Sequence, residues 1–479
     1  MTPTPLIVVK VGGALLTDGA ALQRVSESVA RRRRRGERLL VVVSALRGVT
    51  DELERAASLA LDARSGLELV RDVMERLRRQ HDAVAAELPE RDAVRLRLQP
   101  VLDSVERLLT GIRLTGELTP RTRDLVMCHG ERLAAPLVAA GILSQGADAR
   151  DVTSEEAGLM ATGSFRVGTC DLAASTPRLM ALDHELHDRV LVLTGFYGVN
   201  PEGEVVLFGR GGSDYTAGVV AAGLQAGGLE LWKDVPGFMT ADPREVQDAR
   251  LVPELSFDEA CELGLYGARI LHPRCLEPLR GLPVAVSVRP VADVDSVGTR
   301  LVERRETPGA PGVVALAARR GVAVVRVEGA AMVNEPGIAG HILGAMGEAR
   351  INVDAVAASM TSLSFTIAAG DTAAARRALR HLHELGEAGV EDIETREDAA
   401  LLGVVGDRVA ADSTLAGRLL GRLGQLGVDV HLVCHGPGDV GLSCAVPEAD
   451  LRRALLALHE EFFPPAARAR TAPRRARTG

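Results

Sequence analysis

The sequence predicts an α/β protein in which a mainly parallel sheet is followed by a smaller α/β unit that occurs twice. Three observations lead there. The N-terminal stretch reads strand, glycine turn, helix, strand, which is the βαβ pattern of a parallel sheet. Later short apolar runs stop at glycine or charged residues, at Gly195, Gly209 and Lys233. Past a Pro- and Gly-containing linker at residues 303–312 the rhythm changes, and strand–helix–strand units recur with a period of roughly 75 residues.

In chain order, residues 6–11 (LIVVKV) form a short buried strand followed by Gly12 and Gly13. Residues 19–35 form a helix. Its run Arg31 to Arg35 reads as a solvated C-terminus, favoured by the helix dipole and closed by Gly36. Residues 39–43 are a second strand ending at Ser44. Residues 46–140 are mostly helical, with Leu53, Leu59, Leu67, Leu69, Val70, Met74 and Leu77 as packing positions. Within them lies Cys128-His129-Gly130-Glu131. Taken alone, His129 reads as a satisfied structural histidine and Glu131 as an exposed carboxylate at a helix start. Strands follow at 190–194, 205–208 and 229–232, a helix at 256–265 and a strand at 284–288. After the linker come a strand at 322–327, a helix at 337–350 and a strand at 351–356. The second copy has a strand at 401–405, a helix at 413–426 and a strand at 428–433. The Pro-, Ala- and Arg-rich tail, 464–479, reads as disordered.

Composition excludes several classes. A chain of 479 residues with 46% hydrophobic and 25% charged residues is an ordinary globular protein of roughly two to four domains. A net charge of −8 argues against nucleic acid as a partner. No run reads as long enough to span a membrane, and the N-terminus lacks a secretory pattern. The six cysteines are scattered without a CxxC pair, so neither a disulfide framework nor a zinc site is expected, and the cytoplasm is the expected compartment.

The chemistry concentrates at residues 208–217 (FGRGGSDYTA). Gly209, Gly211 and Gly212 allow positive φ and close approach to a ligand. Ser213 or Asp214 can cap the helix that follows, and its N-terminus suits an anion. Arg210 offers a fork matched to carboxylate or phosphate. Lys10, Ser44, Arg210, Asp214, Lys233 and Asp234 all lie at or just after predicted strand ends, where open α/β sheets bind ligands. Of 56 basic residues only Lys10 and Lys233 are lysines. So strong a bias reserves lysine for places where a compact ammonium is required.

Six motifs in order resemble the aspartate kinases of the amino-acid kinase superfamily: KVGG at 10–13, VVVSALRGVTDEL from Val41, HGE at 129–131, GRGGSDYTA, WKDVPGFMTADPR from Trp232, and YGARILHPR at 266–274. The resemblance runs to about Phe463. It implies an open αβα sandwich over residues 1–303, a linker and strand at 304–320, and two βαββαβ ACT domains at 321–392 and 393–463, with the segment near Val313 to Arg319 adding a strand to the second. It also implies ATP-dependent phosphorylation of the L-aspartate β-carboxylate, with Mg²⁺ arriving on the nucleotide. The product, β-aspartyl phosphate, leads towards lysine, threonine and methionine. Lys10 and Asp214 would be catalytic, with Lys10, Gly12 and Gly13 beside the phosphates. Arg210 would grip the aspartate α-carboxylate, Glu131 the α-ammonium, and Ser44 and Ser213 substrate or phosphate. Lys233, Asp234, Asp242, Arg244 and Arg269 would bind ATP. Met332, Gly337, Ile338, Asn352, Val353, Asp354 and Ser359 fall where lysine-regulated members build an effector pocket, for lysine or threonine. A homodimer through the ACT region is expected.

The chain departs from the family pattern at Ala14 and Leu15, where two hydroxyls are usual, and at Met239 and Arg269. Lys233 stands where threonine is common in bacterial members. Met360 stands where a glutamate usually follows the serine, which implies weakened or altered lysine inhibition. The KxGGALL opening resembles N-acetylglutamate kinases and keeps a second kinase substrate open. A catalytically weak amino-acid sensor is the third reading. Glu131 separates the first two, because an acidic group there is useful only opposite a free ammonium.

Overall fold

The structure is a computed structural model that describes residues 4–62, 66–268, 270–305, 312–329, 336–385, 390–407, 409, 412–435 and 440–464. Arg269, Met332 and nearly all of the tail expected to be disordered lie outside the described residues. The chain forms two compact units. The first comprises Met1–Phe238, Leu251–Gly264 and Arg269–Glu306; the second comprises Met239–Arg250, Leu265–Ala268 and Thr307–Gly479.

The first unit is an αβα sandwich around an eight-stranded sheet. The strand order is Glu254–Ser256, Thr299–Val302, Ala285–Pro290, Gly228–Lys233, Leu6–Val11, Arg38–Val43, Val190–Thr194 and Ala149–Val152. Neighbours are parallel except Ala285–Pro290 against Thr299–Val302. Strands covered on both faces need continuous apolar runs, and these are rich in valine and leucine. On one face Val9, Val11, Val41, Val43, Val190 and Val192 pack with Leu22, Val25 and Val29 of helix Gly19–Arg34 and Leu133, Leu137 and Val138 of helix His129–Ser144. On the other face Val8, Leu40 and Val42 are buried, and helix Gly212–Gly223 lies across the three central strands.

Three expectations change here. Val205–Leu207 is a strand, but it pairs antiparallel with Tyr197–Val199 in a separate ribbon. The basic helix end is not wholly solvated. Arg32 is buried, where it pairs with Glu37 and with Glu230 in mid-strand. The helical stretch Pro120–Ser144 is long and apolar enough to cross a membrane by length and composition, yet its most apolar part is mostly buried inside the unit.

The second unit holds a six-stranded antiparallel sheet in the order Val356–Ala358, Ser362–Ala368, Gly312–Glu328, Asp392–Asp407, Gly441–Pro447, Leu432–His435. Helices Ile338–Glu348 and Thr372–Leu385 close one core with Val325, Phe365 and Ile367; Ser413–Gln425 and Leu451–Phe462 close another with Leu402, Val404 and Cys444. Residues 312–319 pair with 401–407, so the linker strand lies in the sheet of the second copy. The strand expected from Ile351 is short, because Ile351 to Ala355 form an irregular approach to Val356–Ala358.

Candidate active site

Parallel pairing lines up the carboxyl ends of the central strands. Lys10 lies in register with Val42 on one side and Leu231 on the other, and Lys233 ends the neighbouring strand. The Ser44 N–H donates to Val11 O at 3.1 Å, and the Gly195 N–H donates to Val43 O at 3.0 Å. Helix Gly212–Gly223 starts against this edge so closely that a Cβ on Gly195 would lie 2.8 Å from Ser213 Cβ.

The glycine turn needs its glycines for two reasons. Gly209 and Gly211 take φ of 75° and 68°, in the left-handed region. Gly212 has no positive φ, but a Cβ there would sit 2.7 Å from the Phe196 ring. The expected cap by Ser213 or Asp214 does not form. Gly211 occupies the N-cap without a side-chain bond, which leaves both side chains to face inward.

Asp214 Oδ1 pairs with Lys10 Nζ at 2.6 Å, and Oδ2 accepts from the His272 backbone N–H at 3.2 Å. Burial pushes this carboxyl up, but the ammonium groups of Lys10 and Lys233 outweigh burial and hold it well below the usual carboxylate range. Lys233 is half-buried. Burial, with Lys10's charge adding to it and Asp214 opposing, depresses its ammonium below the usual lysine range. Two cations thus share one anion, a net positive charge at the edge where a helix also begins.

Glu131 sits in the first turn of helix His129–Ser144 and is buried, not exposed as the sequence alone implied. Its Oε1 accepts from Ala45 N at 3.1 Å and from Ser213 Oγ at 3.4 Å. Its Oε2 has no hydrogen-bond partner among the described residues. Burial raises this carboxyl to about 8 against the opposing pull of those bonds and of Lys10. His129 is the satisfied histidine expected: Nδ1 lies 2.7 Å from Leu125 O and Nε2 3.1 Å from Ser104 Oγ, and burial depresses it to about 4.

The structure therefore brings Lys10, Glu131, Ser213 and Asp214 together, with Gly12 so near that a Cβ would lie 3.0 Å from Lys10 Nζ. A Cβ on Gly13 would meet Ala45 O at 2.7 Å. Leu15, where a hydroxyl was expected, is a core residue, while Ala14 is exposed. Ser44 is half-buried at the strand end. Arg210 and Asp234 are exposed, and Arg210 makes no hydrogen bond or ion pair among the described residues. Asp242 and Arg244 belong to the second unit and pair with each other at 2.6 Å.

The expected effector residues lie in the second unit. Gly337, with φ of 97°, caps helix Ile338–Glu348; Ile338 is in the core, and Val353 packs against it. Asn352 donates to Asp354 at 2.9 Å, Asp354 pairs with Arg319, and Ser359 bonds Ser362. Sequence reasoning assigned no role to Asp124, His272 or Arg274. The last two lie inside a motif it singled out, and that position was the available signal. Asp124, 83 residues from its partner Leu207, carried none.

The amino acid kinase family matches residues 5–288, and the ACT domain matches 325–383 and 402–462. A bifunctional aspartokinase/homoserine dehydrogenase of Haemophilus influenzae is 30% identical over 363 residues, covering 75% of this chain and 44% of that protein. The chain spans about half the length of the bifunctional relatives it matches. E. coli aspartokinase III in complex with aspartate and ADP (R-state) superposes with a TM-score of 0.80 at 27% identity, covering 96% of this chain and 100% of that one. Its complex with lysine and aspartate (T-state) gives 0.79 at 26%, covering 96% and 99%. With the catalytic match spanning the sheet that carries Lys10, Glu131 and Asp214, the chain belongs to the amino acid kinase family.

Proposed function

We propose that this chain phosphorylates the β-carboxylate of L-aspartate with ATP. One observation carries the reading: Glu131, buried beside the Lys10–Asp214 pair through Ser213, keeps an oxygen without a partner among the described residues. A buried polar oxygen left unsatisfied is costly. A free α-ammonium would satisfy it with a charged donor, whereas an N-acylated amino acid offers only a neutral amide N–H. E. coli aspartokinase III, whose solved complexes hold aspartate with ADP and with lysine, supports the substrate class.

An ionised β-carboxylate oxygen attacks the γ-phosphorus, the bond to the oxygen of ADP breaks, and ADP leaves with that electron pair. The carboxylate is already nucleophilic at neutral pH, so no general base is needed. Catalysis then rests on positioning and on neutralising phosphoryl charge. Lys10 supplies that charge and Asp214 holds its ammonium in place. Arg210, without a partner among the described residues, takes the substrate's α-carboxylate, and Ser44 and Ser213 contribute hydroxyls. Gly12 and Gly13 leave backbone open beside the phosphates. Lys233 and Asp234, at the end of the strand beside Lys10, contact the nucleotide, on which Mg²⁺ would be carried. The ACT domains bind an amino-acid effector and join two chains in a homodimer.

A hydroxamate assay of acyl phosphate with ATP and Mg²⁺ tests this, with L-aspartate and N-acetylglutamate as alternative acceptors. Signal is expected with aspartate and should fall by about a thousandfold or more in Lys10→Ala, once circular dichroism shows that variant folded. Signal with N-acetylglutamate alone would overturn the substrate; none with either, from protein that binds ATP, would leave a sensor.

A further inference from the structure

We infer that Arg274, acting with Asp124, is a positioning residue that sets the glycine turn and so aims Arg210; the inference rests on the role proposed above for Arg210. Two chain segments, 166–168 and 207–208, lie side by side at the entrance to the turn, joined directly by Gly168 N donating to Leu207 O at 2.8 Å. They are stitched from both sides by opposite charges. The buried Asp124 Oδ2 accepts from Arg166 N at 2.8 Å and from Leu207 N at 2.9 Å. The Arg274 guanidinium donates to Gly168 O at 3.1 Å and to Phe208 O. Thus the carboxylate takes two N–H groups and the guanidinium two carbonyls, one from each segment in both cases.

Arg274 also lies 4.4 Å from the centroid of the Tyr215 ring, one residue past Asp214. The Tyr215 hydroxyl in turn accepts from Cys170 N at 3.1 Å. One planar group therefore ties the strand before the turn to the helix after it. Only a guanidinium can fork to two carbonyls and stack on a ring at once; an ammonium cannot. The stitched segments leave no room beside the turn, since a Cβ on Gly209 would come within 3.0 Å of Arg166 O. Arg166 itself is held at a φ of 75°, a conformation that L residues adopt only when their surroundings impose it. Arg210, two residues past Phe208 and without a partner of its own among the described residues, takes its direction from this frame.

The test uses the full chain as Arg274→Gln, Arg274→Lys, Arg210→Ala and the double variant Arg210→Ala/Arg274→Gln. Steady-state constants for aspartate and for ATP are read alongside amide hydrogen exchange. Both Arg274 variants should raise KM for aspartate about tenfold to a hundredfold while KM for ATP stays within about twofold. The double variant should be no worse than Arg210→Ala alone. Exchange at residues 207–212 should quicken in both Arg274 variants. Equal rises for ATP and aspartate, additive losses in the double variant, rescue by lysine, or unchanged exchange at 207–212 would each overturn the assignment. If the wild type makes no aspartyl phosphate, the proposed function fails, and exchange alone decides: quickened exchange confined to the turn supports Arg274, and unchanged exchange overturns it.

Discussion

The sheet edge of the first unit and the 351–362 segment of the second treat polar groups in opposite ways. At the sheet edge, charges are wholly or half buried and, among the described residues, short of partners: the charges of Lys10 and Lys233 both bear on Asp214, and Glu131 keeps a bare oxygen. In the second unit the corresponding groups are content with one another. Asp354 holds Arg319 and accepts from Asn352, and Ser359 closes its turn on Ser362. A folded chain tolerates buried unsatisfied groups chiefly where a ligand completes them. The first region is thus built for a partner it must meet, and the second already stands complete around the residues expected to hold an effector.

The sharpest way to break this contrast is Glu131→Gln. Removing the charge opposite a bound ammonium should raise KM for aspartate about a hundredfold. The same change should stabilise the empty protein. Unfolded, Glu131 ionises near 4.5, whereas in the fold it holds its proton up to about 8. The unfolded state therefore binds fewer protons between those values, and Glu131 lowers stability as pH rises through that window. Thermal melts from pH 5 to 9 should show a flatter loss in the glutamine variant; an identical slope would remove Glu131 from the account. In the wild type, KM for aspartate should fall as pH climbs towards 8, because the ionised carboxylate holds an ammonium more strongly than the neutral acid does.

Effector binding offers a smaller effect. Met360 is 75% exposed and carries no charge for a cationic ligand. Titration calorimetry should find lysine weak in the wild type and tightened about tenfold in Met360→Glu, the size of one exposed charge contact in a partly enclosed site. Tight lysine binding by the wild type would reverse that expectation. The least change should come from Arg319→Ala. Its pair with Asp354 is partly exposed, so a denaturant melt should shift by under about 1 kcal/mol, with KM for aspartate unmoved.

Much of the sheet edge was legible because strand ends announce themselves: an apolar run, then glycine, serine or charge. Lys10, Ser44 and Lys233 were found that way, and lysine scarcity singled out the two ammonium groups. What escaped were roles created by distant pairing. Nothing local marks Arg32, one arginine in a run of five, as the one buried against Glu230, 198 residues away. Glu131 read alone was a helix-start carboxylate, and only the packing of Ala45 and Ser213 makes it a buried one. Val205–Leu207 has the composition of a sheet strand and lies beside the sheet, because apolar pattern reports burial and not partner. In the second unit, the approach to Val356–Ala358 is irregular where Asn352 and Asp354 bond locally in place of a ladder.

The strands Gly312–Glu328 and Asp392–Asp407 each run through the sheets of both ACT copies, with shifts of register between Arg319 and Val324. Near one end Val325 pairs with Thr395; near the other Leu316 pairs with Val404. Neither copy is therefore a portable part. A cut anywhere between them severs a strand that the other still needs and bares a raw edge of unpaired backbone, the kind of surface on which chains aggregate. Duplication here has produced an indivisible object, in which each half carries the other's scaffolding.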